Sequence, residues 1–207
     1  MKVRRFFGKI VLFKLGGFMK NISGRWEAGW ALDVHTIYST PNPDGTFNNV
    51  RTPIGEAVYQ LKYNQDFSQI DFLVQALVDF LKTKMVLSYI DVIIATPPSQ
   101  NRDFQPVFEI ASRVASKLGK SIDFNFVLKT KPTTQLKSIT DINERQQIIS
   151  GAFAVSDPNK YRDKKVLIID DLYRSGTTLN EISKVLYEQA YVNNVYVVTL
   201  THTRSNR

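Results

Sequence analysis

Asp170 and Asp171 stand side by side at the end of the apolar run Val166–Ile169, in the stretch VLIIDDLYRSGTTLNEI. An ionised carboxylate accepts hydrogen bonds and donates none. A pair of them therefore suits a group rich in neighbouring hydroxyls, such as a sugar. Arg174, Ser175, Gly176, Thr177 and Thr178 follow and lead into a helical pattern. A helix start offers unpartnered N–H groups and the positive end of the helix dipole. Small residues let a phosphate approach those N–H groups, and serine and threonine hydroxyls add donors. One short stretch thus pairs acceptors for sugar hydroxyls with donors for a phosphate, and the complementary ligand is a phosphorylated ribose. A surface turn with helix-capping hydroxyls would account for Ser175 but not for two acids.

The elements that position these residues follow from hydrophobic period. Residues 166–170 read as a buried strand, with Asp170 its last residue and Asp171 the first of a loop, so that both carboxylates can turn toward one ligand. IDVIIATPP is a second short apolar run, stopped by Pro97-Pro98. SIDFNFVL, GAFAV and NNVYVVTLT read as further strands. Between them, Ile70, Leu73, Val74, Leu77, Phe80 and Leu81 recur at helical spacing, as do Ile110, Ala111, Val114, Ala115 and Leu118, and then Leu179, Ile182, Val185 and Leu186. IGEAVYQLKYN and INERQQII are also helical. Strands alternating with helices predict an α/β fold: a central, mainly parallel sheet with helices on both faces. Ligands of such sheets sit beyond the strands' carboxyl ends. Thr96–Ser99 and the acid pair both lie there. Residues 20–53, with the turn signal TPNPDGTFNN, read as irregular or short-stranded. The predicted division is a 1–53 extension and hood, and a 54–207 main domain.

The stretch VLIIDDLYRSGTT resembles the phosphoribosyl-pyrophosphate signature of the type I phosphoribosyltransferases. The resemblance extends over roughly residues 54–203 to the ComF-like branch, through VYQLKYNQD, IIATPPSQNRDFQPVFEIASRVASKLG and KTKPTTQLKSITDINERQQIISGAF. Two departures stand out. Ile148 replaces a common asparagine, and the cysteine zinc module frequent at the N-terminus of relatives is absent. The resemblance implies that Asp170 and Asp171 are catalytic and bind ribose hydroxyls, and that Arg174–Thr178 hold the 5′-phosphate. It implies that Thr96, Pro97, Pro98 and Ser99 meet the pyrophosphate, often through a strained or cis peptide. Arg102, Lys129 and Lys131 are candidate pyrophosphate contacts, Lys131 in a loop able to close over the ligand. Mg²⁺ is the implied cofactor, held by ligand oxygens and water rather than by a protein metal site. The implied activity is transfer of phosphoribose to a nitrogen acceptor, with Trp26, Trp30 and Tyr63 as candidate stacking partners for a base. A second reading is a non-catalytic protein that senses phosphoribosyl pyrophosphate or a nucleotide and binds single-stranded nucleic acid, since ComF relatives are linked to handling incoming DNA.

Composition narrows the rest. The 207 residues are 43% hydrophobic and 22% charged, as in an ordinary globular chain, with a formal net charge of +8 that suits phosphate-bearing partners. The absence of cysteine excludes disulfides, thiolate zinc sites and a cysteine nucleophile, and fits a reducing, cytoplasmic setting. His35 and His202 lack metal-ligand spacing and read as surface or capping residues, and Gly119-Lys120-Ser121 lacks the upstream glycine of a P-loop. No segment reaches the roughly 20 apolar residues of a membrane span. The basic start MKVRRFF is followed by Lys9 and Lys14, which break any signal-peptide core. Gly16-Gly17 codons can carry a ribosome-binding sequence ahead of Met19, which makes Met19 a candidate start and residues 1–18 candidate upstream sequence. The sequence leaves the oligomeric state open, a dimer being one assembly it allows.

Overall fold

The computed structural model describes residues 18–98, 104–131, 139 and 141–204. Along the chain these form β1 (Lys20–Asn21), β2 (Ala28–Val34), β3 (Thr36–Pro41), β4 (Phe47–Arg51), α1 (Pro53–Tyr63), α2 (Ile70–Lys82), β5 (Val92–Ala95) and α3 (Pro106–Leu118). Then come β6 (Ser121–Ile122), β7 (Val127–Lys129), α4 (Ile142–Ile149), β8 (Phe153–Val155), β9 (Lys165–Tyr173), α5 (Thr177–Glu188) and β10 (Asn194–His202). Six strands make one sheet in the order β1-β2-β10-β9-β5-β6. The pairings from β2 across to β6 are parallel, and only the β1 edge is antiparallel. The predicted α/β class stands.

The two faces of the sheet are separated by strand period. Ile93, Leu167, Ile169, Val198 and Leu200 pack with α1, α2 and α3. Their neighbours Val92, Ile94, Val166, Ile168 and Val197 pack with α5, Phe126 and Phe153 on the other face. Alternation over continuous apolar runs is what a parallel sheet covered on both sides requires. Burying each such Ile or Leu side chain contributes about 1.5–3 kcal/mol, so the two-sided core holds the strand ends rigidly.

The start of α1 is fixed twice. Thr52 Oγ accepts the N–H of Gly55 at 3.0 Å and donates to the Val34 carbonyl at 2.8 Å. Pro53 follows at the first helical position, where its missing N–H costs nothing. A Cβ on Gly55 would collide with the His35 carbonyl oxygen, so glycine lets the helix approach the end of β2 closely.

Three local expectations are corrected. Residues 20–53, read as irregular or short-stranded, are stranded, and β2, seven residues long, enters the central sheet between β1 and β10. Gly29 and Asp33 interrupt its apolar pattern and hid its strand character in the sequence. SIDFNFVL is not one strand. β6 ends at Ile122, and Asp123 then turns the chain by accepting the Asn125 N–H at 2.9 Å and the Lys160 ammonium at 2.6 Å. The chain thereby leaves the sheet, and β7 pairs antiparallel with β8. Finally, β9 does not stop at Asp170 but runs to Tyr173, because β10 continues beside it to His202.

Candidate functional site

Both acids lie within β9, so by strand alternation their side chains leave opposite faces. The expected loop at Asp171 does not form there. Asp171 is 9% exposed and takes the α1 face, where its Oδ2 lies 2.5 Å from Lys62 Nζ. Asp170 is half-buried, and its Oδ1 accepts the backbone N–H of Asp171 at 2.9 Å. Thr96, just past β5, donates its N–H to the Ile169 carbonyl at 3.1 Å. Its buried hydroxyl lies beside Asp170. The structure therefore joins Thr96 to the acid pair, as its place at a strand end predicted.

Burial, and then repulsion by Asp171, push the Asp170 carboxyl up to about 7. Burial pulls Lys62 down, but the charges of Asp171 and Asp170 outweigh it and hold the ammonium above the ordinary lysine value. Burial, with the nearby Arg51 and Lys62 cations, pushes His35 below the ordinary histidine value.

Arg174–Thr178 follows β9 directly. Gly176 has φ 75°, a left-handed conformation, and a Cβ there would stand 2.9 Å from Tyr173 Cε2. Its carbonyl accepts the first helical bond of α5, from the Asn180 N–H at 2.8 Å. The preceding N–H groups, of Thr177, Thr178 and Leu179, make up the first helical turn, which lacks intrahelical acceptors. Ser175 Oγ and Thr177 Oγ lie 2.8 Å apart. Arg145 of α4 is 7% exposed. Burial, and then the neighbouring Arg174 cation, lower its affinity for a proton. Arg145 thus lies close enough to Arg174 to feel its charge, while its Nη1 donates to the Ile139 carbonyl at 2.9 Å.

On the pyrophosphate side, Lys129 Nζ donates to the Pro98 carbonyl at 3.3 Å, bringing β7 against the Thr96–Pro98 segment. Burial lowers the Lys129 ammonium below its ordinary value. Lys131 is exposed just beyond β7. Ser99 and Arg102 lie outside the described residues. The cis peptide implied near Pro97 and Pro98 does not occur among the described residues.

Other candidates are reassigned. Trp26 is a core residue: its Nε1 donates to the Ile22 carbonyl at 2.9 Å, and its ring meets Tyr173 edge-on. Trp30 packs edge-on against Phe80. Of the three proposed stacking aromatics Tyr63, 62% exposed, is the most open, and Trp30 is partly buried. His202 is buried rather than on the surface, with its ring nitrogens 2.8 Å and 2.9 Å from the Thr203 and Phe18 carbonyls. His35 is half-buried, 3.4 Å from Thr201 Oγ.

The residue the sequence reading missed is Lys62. It falls inside the quoted segment VYQLKYNQD, but its partner Asp171 is remote in sequence, and no local pattern announces the pair. Arg145 was missed for the same reason. Among the described residues no group of three His, Asp or Glu side chains could hold a metal ion. With Asp171 engaged by Lys62, the acid pair does not fit a protein-held Mg²⁺. Among the described residues no helix is long and apolar enough to cross a membrane.

Parts of the chain are similar to known proteins. Residues 108–207 match the phosphoribosyl transferase domain model. Competence protein F of Haemophilus influenzae is 28% identical over 101 residues, 46% of this chain and 44% of that protein. The match thus spans less than half the length of that relative. Among solved structures, a purine phosphoribosyltransferase from Pyrococcus horikoshii is 16% identical, covering 67% of this chain and 86% of its own, at a TM-score of 0.42. An adenine phosphoribosyltransferase from Thermoanaerobacter pseudethanolicus is 15% identical, covering 81% and 95%, at a TM-score of 0.41. These overlaps are loose, and the fold rests on the chain's own topology.

Proposed function

Residues 108–207 match the phosphoribosyl transferase domain and the chain resembles Competence protein F, and from that premise we propose that it is a ComF-like phosphoribosyltransferase that binds 5-phosphoribosyl pyrophosphate and transfers phosphoribose to a nitrogen acceptor. The single observation that carries this reading is the sequence of parts at the end of β9. Two carboxylates on a rigid strand are followed within six residues by a left-handed glycine and the N-terminus of α5.

In this reading the acids accept the ribose hydroxyls, and Arg174–Thr178 receive the 5′-phosphate with Arg145 behind them. Thr96–Ser99 and Lys129 face the pyrophosphate, with Lys131 and Arg102 as further cations. Pyrophosphate leaves C1 with its bonding electrons, and a nitrogen lone pair attacks the oxocarbenium-like carbon and then sheds its proton. Fixed cations near the leaving oxygens stabilise the charge that develops there. Mg²⁺, bound by ligand oxygens and water as the ion prefers, would neutralise part of the pyrophosphate charge.

The test is exchange of labelled pyrophosphate into phosphoribosyl pyrophosphate across a panel of bases and ammonia. Exchange with one acceptor, lost in Asp170→Asn, supports the transferase. Ligand binding without any exchange supports the sensing protein instead. A basic depression lined by Lys82, Lys84, Lys120, Met85 and Tyr89 favours keeping that second reading, with single-stranded nucleic acid as the partner.

A further inference from the structure

The Lys62–Asp171 pair has a consequence for how the acid pair is neutralised. Two adjacent carboxylates repel, and a site built from them ordinarily needs a cation. Here one comes from the chain itself. α1 is anchored by Thr52 to β2 and by its close approach at Gly55 to His35, and its buried face, Ile54, Ala57, Val58 and Leu61, sits in the core. That anchoring places Lys62, in the last turn, with its side chain 28% exposed, against Asp171, 12% exposed. Arg51, which also acts on His35, is committed elsewhere: it bonds Glu56 at 3.2 Å and lies 3.7 Å over the Tyr59 ring. The contacts to Lys62 and to the Asp171 N–H engage Oδ2 of Asp171 and Oδ1 of Asp170.

We propose that Lys62 is the resident cation of the acid pair, so that the chain holds the ribose 5-phosphate half of its ligand without a divalent ion. The inference rests on the phosphoribosyl reading above. It makes Lys62 a positioning residue, acting through Asp171, and it confines any Mg²⁺ requirement to the pyrophosphate half.

The experiment is calorimetric titration of the full chain with ribose 5-phosphate, in EDTA and in excess MgCl₂. Wild type should bind equally in both. Lys62→Met should weaken binding in EDTA by about tenfold to a hundredfold, the range expected for losing a hydrogen bond to a charged group. Added Mg²⁺ should recover most of that loss, because the bared acid pair then accepts the ion. Lys62→Arg should keep binding independent of Mg²⁺. A purely structural ion pair would not change the Mg²⁺ dependence. Wild-type binding that disappears in EDTA, or Lys62→Met binding as tightly as wild type there, overturns the inference and leaves the phosphoribosyl reading intact. If neither ribose 5-phosphate nor phosphoribosyl pyrophosphate binds wild type under either condition, both fall. Should Lys62→Met fail to fold by circular dichroism, the wild-type comparison and Lys62→Arg decide.

Discussion

The hydroxyl of Thr52 joins α1 to β2 by accepting from Gly55 and donating to the Val34 carbonyl at 2.8 Å, with the threonine only 2% exposed. Thr52→Ala removes a helix cap, worth about 0.5–2 kcal/mol, and leaves a buried carbonyl unpaired, about 1–3 kcal/mol. The expected loss is about 2–3 kcal/mol, and at roughly 2–4 °C per kcal/mol the melting temperature should fall by about 5–10 °C. Calorimetry measures it. A change under about 1 °C would show that the link carries no weight.

Gly176→Ala tests the phosphate loop. The new Cβ meets Tyr173, and the left-handed backbone costs a non-glycine residue about 1 kcal/mol. Total destabilisation of about 1–3 kcal/mol is expected by chemical denaturation. Ribose 5-phosphate affinity should fall by about tenfold or more, because the first N–H groups of α5 shift with the turn. Undiminished affinity would place the phosphate elsewhere.

The acids should differ in stability and agree in binding. Asp170 has a folded-state pKa raised to about 7, above its unfolded value. The folded state therefore holds the extra proton between about pH 4 and 7, and stability falls as pH rises through that window. Asp170→Asn should remove this slope and make the protein more stable than wild type at pH 8, by up to a few kcal/mol. Asp171→Asn should do the reverse and destabilise, because it strands Lys62 in a partly buried site. Both should abolish ribose 5-phosphate binding. Urea titrations at pH 5 and 8 read the first two effects, and equal slopes in wild type and Asp170→Asn would refute the assignment.

Phosphoribosyl pyrophosphate with Mg²⁺ should stabilise the chain by about 2.7 kcal/mol at a hundred times its dissociation constant. The melting temperature should then rise by about 5–10 °C. Ribose 5-phosphate should give a smaller rise, since it does not reach Thr96–Ser99 or Lys129. Lys129→Ala should reduce the first rise and spare the second. An equal loss for both ligands would remove Lys129 from the pyrophosphate side.

If single-stranded nucleic acid binds, the +8 charge makes that binding electrostatic, and affinity should drop steeply between 50 and 200 mM salt. Fluorescence anisotropy across a salt series measures the slope. A salt-insensitive or tightly sequence-specific interaction would contradict it.

The two acids, the small residues after them and the helix that follows were legible in the sequence, because each is set by local order. A strand ending, a glycine able to take a positive φ and a helix start all lie within VLIIDDLYRSGTT. The alternation of strands and helices likewise carried the α/β class, since burial on both faces of a parallel sheet writes itself as continuous apolar runs. β2 was not legible, because its strand character depends on pairing with β10, distant in sequence. The direction of each carboxylate was also decided only in three dimensions. β9 continues past the acids because β10 is there to pair with Leu172 and Tyr173, which turns Asp171 toward α1 and Lys62 and leaves Asp170 half-buried beside Thr96. Charge partners that meet across elements depend on how helices pack on a sheet, and that packing is a property of the whole core, which no short stretch of sequence contains.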